Sequence, residues 1–171
     1  MTKLTPTWRV AILGLSIFVA DQVTKLFVLK YLGFHEERVV IDGFFKFVHW
    51  GNTGAAWSMF RGNNAILAAT ALAALVILFL TRHHFDVHTL GGQLSLGLIF
   101  GGILGNLLDR IRVGHVVDFL RFYVIRRNGE EAGFPAFNIA DSAICVGVGL
   151  LFILSFQSDA ARSPQPTASS N

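Results

Sequence analysis

Four stretches of the chain are apolar for long enough to cross a lipid bilayer, and charge is nearly absent from all four. They run from about Val10 to about Leu32, from about Ala65 to Leu80, from about Leu90 to Leu108 and from about Ile139 to Phe156. Runs of roughly 16 to 20 apolar residues or more match the hydrocarbon core when wound as helices. Lipid offers no partner to a backbone amide, so helices are the expected spanning form. Only 15% of the 171 residues are charged, well short of the roughly 25% usual in soluble domains. The net charge of +3 comes without a basic run interleaved with aromatics, so no nucleic-acid partner is expected. The one cysteine, Cys145, rules out an intrachain disulfide and reads as a small hydrophobe in a helix core.

The segments between the spans are unequal. A loop from about Gly33 to Asn64 contains Val39-Val40-Ile41 and Phe44-Phe45-Lys46-Phe47-Val48 around Asp42-Gly43, which predicts two short strands about a turn. A second long loop runs from about Val113 to Phe137, whereas the connection from Arg82 to Thr89 is short. Residues 1–157 read as one four-span domain, and the Ser/Pro/Ala/Gln-rich residues 158–171 as a disordered tail. Val10 to Ala20 has the length of a secretory h-region, but Phe18 occupies a position that cleavage after Ala20 would reserve for a small residue, and the apolar pattern resumes at Leu26. Gly97, Gly101 and Gly105, four residues apart in the third span, predict a close helix-packing seam.

Four spans impose a parity. The end of span one, both long loops, the end of span three and the start of span four share one face of the membrane. Both termini and the short connection share the other. Lys3, Arg9, Arg82 and Arg162 mark the terminal face, and Arg38, Lys46, Arg61, Arg121, Arg126 and Arg127 the opposite one, so the positive-inside rule leaves the orientation open.

Intramembrane charge is costly and tends to be functional, and here nearly all of it falls on the loop-bearing face. Asp21 and Lys25 form an i,i+4 pair, either a self-neutralised structural pair or one that meets a substrate. Asn52 lies in the first loop; Asn106, Asp109 and Arg110 end span three. Asp118 and Asp141 lie near the ends of adjacent spans on the same face. Two neighbouring carboxylates share a proton and can hydrolyse a peptide, one activating water while the other polarises the carbonyl. The plainer alternative is that Asp141 caps a helix and Asp118 is solvated. His83, His84 and His88 fit a solvated turn better than a metal site. His115, Asp118 and Ser142 lack the turn a serine triad requires. A transporter would spread its polar groups through the membrane depth, and a scaffold subunit gives no role to the aspartates.

Five segments, in order, resemble the signature boxes of the lipoprotein signal peptidases (signal peptidase II): Asp21-Gln22-Val23-Thr24-Lys25, Asn52-Thr53-Gly54-Ala55-Ala56, Gly101 to Arg110, Val116-Val117-Asp118-Phe119 and Phe137-Asn138-Ile139-Ala140-Asp141. The resemblance implies four transmembrane helices with a small extracytoplasmic β-cradle built from the long loops, an all-α membrane protein otherwise. It implies an aspartic endopeptidase of the bacterial inner membrane, with both termini cytoplasmic. Its substrate would be a prolipoprotein bearing a diacylglyceryl-cysteine, cut just before that cysteine. Asp118 and Asp141 would be catalytic, and Asn52, Gly54, Asn106, Arg110, Asn138, Asp21 and Lys25 would bind substrate or support the site. No metal or organic cofactor is implied; membrane lipid and globomycin-type inhibitors are the other expected partners. The stretch Arg121 to Gly133 is longer than the family pattern leads one to expect.

Overall fold

A computed structural model of the protein describes residues 5–54 and 62–162, with residues 158–162 described by their backbone alone. Helix α1 (Pro6–Tyr31) begins at Pro6, whose missing amide hydrogen costs nothing in a first turn. It runs unbroken through Ala20, so the segment resembling an h-region is the first half of one longer helix. Strands β1 (Glu37–Ile41) and β2 (Phe45–Asn52) follow, then α2 (Asn64–Thr81), a single 3-10 turn at Arg82–His84, and α3 (Leu90–Arg112). Strands β3 (Val116–Ile125) and β4 (Glu131–Gly133) precede α4 (Ile139–Arg162). All four α-helices are long and apolar enough to span a membrane. Helix α4 continues past residue 157, where the tail was expected to start; residues 163–171 lie outside the described residues.

Helix α3 is the centre of the bundle. It packs against α1, α2 and α4, whereas α2 buries only Leu67 among its described side chains. The glycine seam makes the contact with α1. A Cβ on Gly101 would stand 2.5 Å from the Gly14 carbonyl oxygen and 2.8 Å from Ile17 Cβ, so only hydrogen fits there. Small residues of this kind let helix backbones approach where lipid supplies no hydrophobic drive. Cys145 is exposed on α4, not enclosed in a helix core as expected; an apolar thiol is tolerated against lipid as readily as against protein.

The hairpin read from Val39 to Val48 is present, with Gly43 at φ 68° in its turn. The second long loop is also largely sheet: the strands run in order β1-β2-β3-β4, all neighbours antiparallel. Asp118, expected in a loop, therefore sits near the start of β3. The register of β2 against β3 changes between Phe47↔Leu120 and Trp50↔Asp118, which inserts one extra residue on β2. Such a bulge re-aims side chains and is common beside functional sites. The stretch Arg121 to Gly133 makes the outer part of β3, its turn and β4.

Candidate active site

Asn138 organises the site from the start of α4. Its side-chain oxygen accepts from the Asp141 amide at 2.8 Å, and Asp141 Oδ2 accepts from the Asn138 amide at 3.3 Å. This reciprocal exchange is a capping box with aspartate in the position usually held by Glu or Gln. Asn138 Nδ2 then donates to Asp118 Oδ1 at 2.9 Å. The other Asp118 oxygen accepts from Asn52 Nδ2 at 3.0 Å. Asn106 Nδ2 donates to Asp141 Oδ1 at 2.7 Å. Each aspartate is thus held by asparagines, and Asn138 touches both.

The parity of the spans holds in detail. The end of α1, the end of β2, the end of α3, the start of β3 and the start of α4 meet at one end of the bundle. Asp118 is buried, and burial together with the nearby Asp141 carboxylate pushes its pKa up to about 7; the hydrogen bonds from Asn52 and Asn138, and the charge of Lys25, oppose that shift.

Lys25 lies behind this pair. It is 2.8 Å from Asp21 and 2.7 Å from Asp109, and it donates to Asn106 Oδ1 at 3.0 Å. Asp21 Oδ1 accepts from the Ala140 amide at 2.9 Å, and Asp109 Oδ2 from the Val117 amide at 3.2 Å. Gln22 donates to Asp109 Oδ1 at 3.0 Å. Asp21 and Lys25 are 0% and 2% exposed, and their charged atoms are taken up by one another, Asp109, Asn106 and the Ala140 amide. Asp109 and Gln22 were not among the site residues expected from sequence. The signal for Asp109 was available, because a lysine already paired on its own helix can take a second acid from another.

Arg110 borders the site on the α2 side. It donates to the Asn106 carbonyl at 3.3 Å and reaches the Gly54 carbonyl at 3.5 Å, while its Nε is buried without a partner among the described residues. Gly54 in turn donates its amide to Asn52 Oδ1 at 2.9 Å. Ala55 and Ala56 of the second box lie outside the described residues. A cavity of about 270 Å³ opens between α2, α3 and α4, with Asn106 and Arg110 at its polar side and Leu67, Ala71, Ile103 and Ile144 among its apolar walls. Ser142 Oγ donates to the Asn138 carbonyl, the local back-bond of a helical serine. No cluster of His, Cys, Asp or Glu suited to a metal occurs among the described residues.

Residues 13–157 match the family model described as signal peptidase (SPase) II. The chain belongs to the signal peptidase II family. It is 43% identical to the lipoprotein signal peptidase of Symbiobacterium thermophilum over 143 residues, covering 83% of this chain and 90% of the relative. It is 35% identical to that of Geobacter sulfurreducens over 167 residues, or 93% and 99% of the two chains. A solved bacterial membrane enzyme, determined at 2.3 Å by the in meso method, superposes with a TM-score of 0.73 at 30% identity and covers 92% of this chain. Membership makes the chain a multi-pass membrane peptidase that processes lipoproteins.

Proposed function

We propose that Asp118 and Asp141 are the catalytic dyad with which this peptidase removes the signal peptide from diacylglyceryl-modified prolipoproteins, cutting just before the lipidated cysteine. The observation that carries the reading is Asn138, which caps α4 through Asp141 and donates to Asp118 with the same side chain. That arrangement brings two carboxylates to one end of an apolar bundle.

The pair holds one proton between them near neutral pH, as expected of close carboxylates. The ionised member takes a proton from water as the water attacks the scissile carbonyl carbon, and the protonated member gives a hydrogen bond to the carbonyl oxygen. The tetrahedral intermediate collapses as the C–N bond breaks and a proton passes to the leaving amine. Asn52, Asn106 and Asn138 fix the carboxylates, and Arg110, with Gly54 beside it, faces the substrate backbone. Asp21 and Lys25 are framework beneath the dyad. The diacylglyceryl group and the signal helix keep the substrate in the bilayer, so it reaches the site already partly oriented, which lowers the entropic cost of attack. The reading places the protein in the bacterial inner membrane with cytoplasmic termini and the site near the extracytoplasmic face, and makes it sensitive to globomycin-type cyclic peptides.

The test is a gel-shift assay in detergent or bilayer with a diacylglyceryl-modified prolipoprotein. Wild type should cleave it and leave the unlipidated precursor intact. Asp118→Asn and Asp141→Asn should each lose at least about 10³-fold in rate while remaining folded and membrane-inserted. Near-normal turnover by either variant would remove that residue from the dyad.

A further inference from the structure

The distal end of the sheet takes no part in the site. The β1–β2 and β3–β4 turns lie together there: Gly43 approaches Ile125, and the Tyr123 amide donates to the Phe44 carbonyl. Ile125 is seven residues (125 − 118) along β3 from Asp118, about 23 Å at ~3.3 Å per residue.

This end carries six exposed apolar side chains around one acid, Asp42, in the β1–β2 turn, which accepts a hydrogen bond from Tyr123. Val39, Val40, Ile41, Phe44, Val124 and Ile125 are each more than half exposed. Successive strand residues point to opposite faces, so Val124 and Ile125, in the regular part of β3, expose apolar side chains on both faces of the sheet. A surface shaped for one ligand needs only one such face; immersion in an apolar medium covers both. The other end of the sheet is fixed against the bundle, where Val117 and Phe119 pack on Val28 of α1 and Leu120 pairs with Phe137 just before α4. The sheet therefore leaves the bundle at the level where the spans end.

Charge completes the pattern. Arg126 and Arg127 directly follow Ile125; both are exposed, and their side chains make no hydrogen bond or ion pair among the described residues. The nearest acid along the turn, Glu130, accepts from Asn128. An arginine guanidinium matches the geometry of a phosphate, and paired basic residues at a membrane surface favour anionic lipid.

We propose that the distal end of the sheet is an interfacial anchor. Its apolar side chains enter the boundary between headgroups and acyl chains in the leaflet on the sheet's side, and Arg126 and Arg127 take the phosphates of anionic phospholipids. The anchor sets the height of β3, and so of Asp118, relative to the lipid.

The test uses the full chain with Cys145→Ser and Ile125→Cys, labelled with bimane and reconstituted in phosphatidylcholine vesicles carrying brominated acyl chains, with and without phosphatidylglycerol. The otherwise unsubstituted protein labelled at Cys145 on the exposed side of α4 is the control for lipid contact. Bromolipid should quench the probe at position 125 and aqueous iodide should not. Phosphatidylglycerol should raise that quenching about twofold or more, and Arg126→Gln with Arg127→Gln should abolish the rise. Quenching at 125 by iodide and not by bromolipid, with the control quenched by lipid, places the sheet end in water and overturns the proposal. Quenching indifferent to phosphatidylglycerol overturns the arginine–phosphate contact. Self-quenching that grows with the protein-to-lipid ratio assigns the surface to a second copy and also overturns it.

Discussion

Two lysines in this molecule each sit between two carboxylates, and their surroundings could hardly differ more. Lys25 is held by Asp21 and Asp109, with the acids 0% and 6% exposed. Lys46 is held by Glu37 and Glu131, with the acids 35% and 41% exposed. The first cluster joins α1 to α3 and, through the Ala140 and Val117 amides, to α4 and β3. The second takes one residue from each of three strands, and Arg121 and Tyr123 of β3 complete it: Arg121 lies 3.4 Å from Glu37, and the Lys46 ammonium stands 4.6 Å over the Tyr123 ring. Burial pulls the Lys46 ammonium down, but the hydrogen bonds to Glu131 and Glu37 outweigh it and leave its pKa raised, while Glu131 is held below its usual value by Lys46. The same three charges act as a buried keystone in one place and as a partly exposed clasp in the other.

Breaking the buried cluster should have the larger effect. Lys25→Met leaves two buried carboxylates without a counter-charge, a loss of about 3–5 kcal/mol for such sites. Thermal unfolding in detergent should show it as the largest fall in midpoint of any single framework substitution, with little folded enzyme left to assay. Gly105→Ala strikes the same cluster sterically, because the new Cβ would stand 2.5 Å from Asp21 Oδ2. An overpacking cost of about 1–3 kcal/mol is expected, together with a fall in cleavage rate as α1 or α4 shifts. A matching Gly114→Ala change meets no neighbour but sits at φ 79°, so it probes turn strain alone.

Proton linkage separates the regions further. Asp118 binds its proton more tightly in the folded protein than in the unfolded chain, where a carboxyl titrates near 3.8. The stability it contributes is therefore complete below about pH 4 and is lost as pH rises through about 7. Asp118→Asn should flatten that part of the stability–pH curve. Cleavage by wild type should fall on the alkaline side of about pH 7 as the dyad loses its shared proton. Lys46→Met should give the smallest effect: less than half the midpoint loss of Lys25→Met, shrinking at high salt because partly exposed ion pairs are screened. Equal losses at the two lysines would erase the contrast between keystone and clasp.

The helices are visible in the sequence because lipid allows few alternatives to an apolar run of that length. The first hairpin is visible because Asp42-Gly43 separates two β-rich segments. The second was equally marked, since Asn128-Gly129 follows the run Phe122-Tyr123-Val124-Ile125, and Gly129 does adopt φ 82°; Asp118 and Arg121 interrupt the apolar alternation of β3 and hide it. Long-range polar pairing is a different matter. Nothing local to Lys25 specifies Asp109, and nothing local to Asn52 specifies Asp118; the first pairing depends on how α1 packs on α3 and the second on the register of β2 against β3. The convergence of the polar residues was legible as a parity of faces, and Asn52, Asn106 and Asn138 were expected as supports through the resemblance, whereas which asparagine holds which carboxylate was not.

Asn138 has a consequence for how the enzyme comes into being. The hydrogen bonds that start the first turn of α4 are the same ones that orient Asp141, and the amide left over reaches Asp118. On the proposed mechanism, a newly inserted chain whose fourth span has not yet wound its first turn therefore lacks the paired carboxylates that would cut peptides.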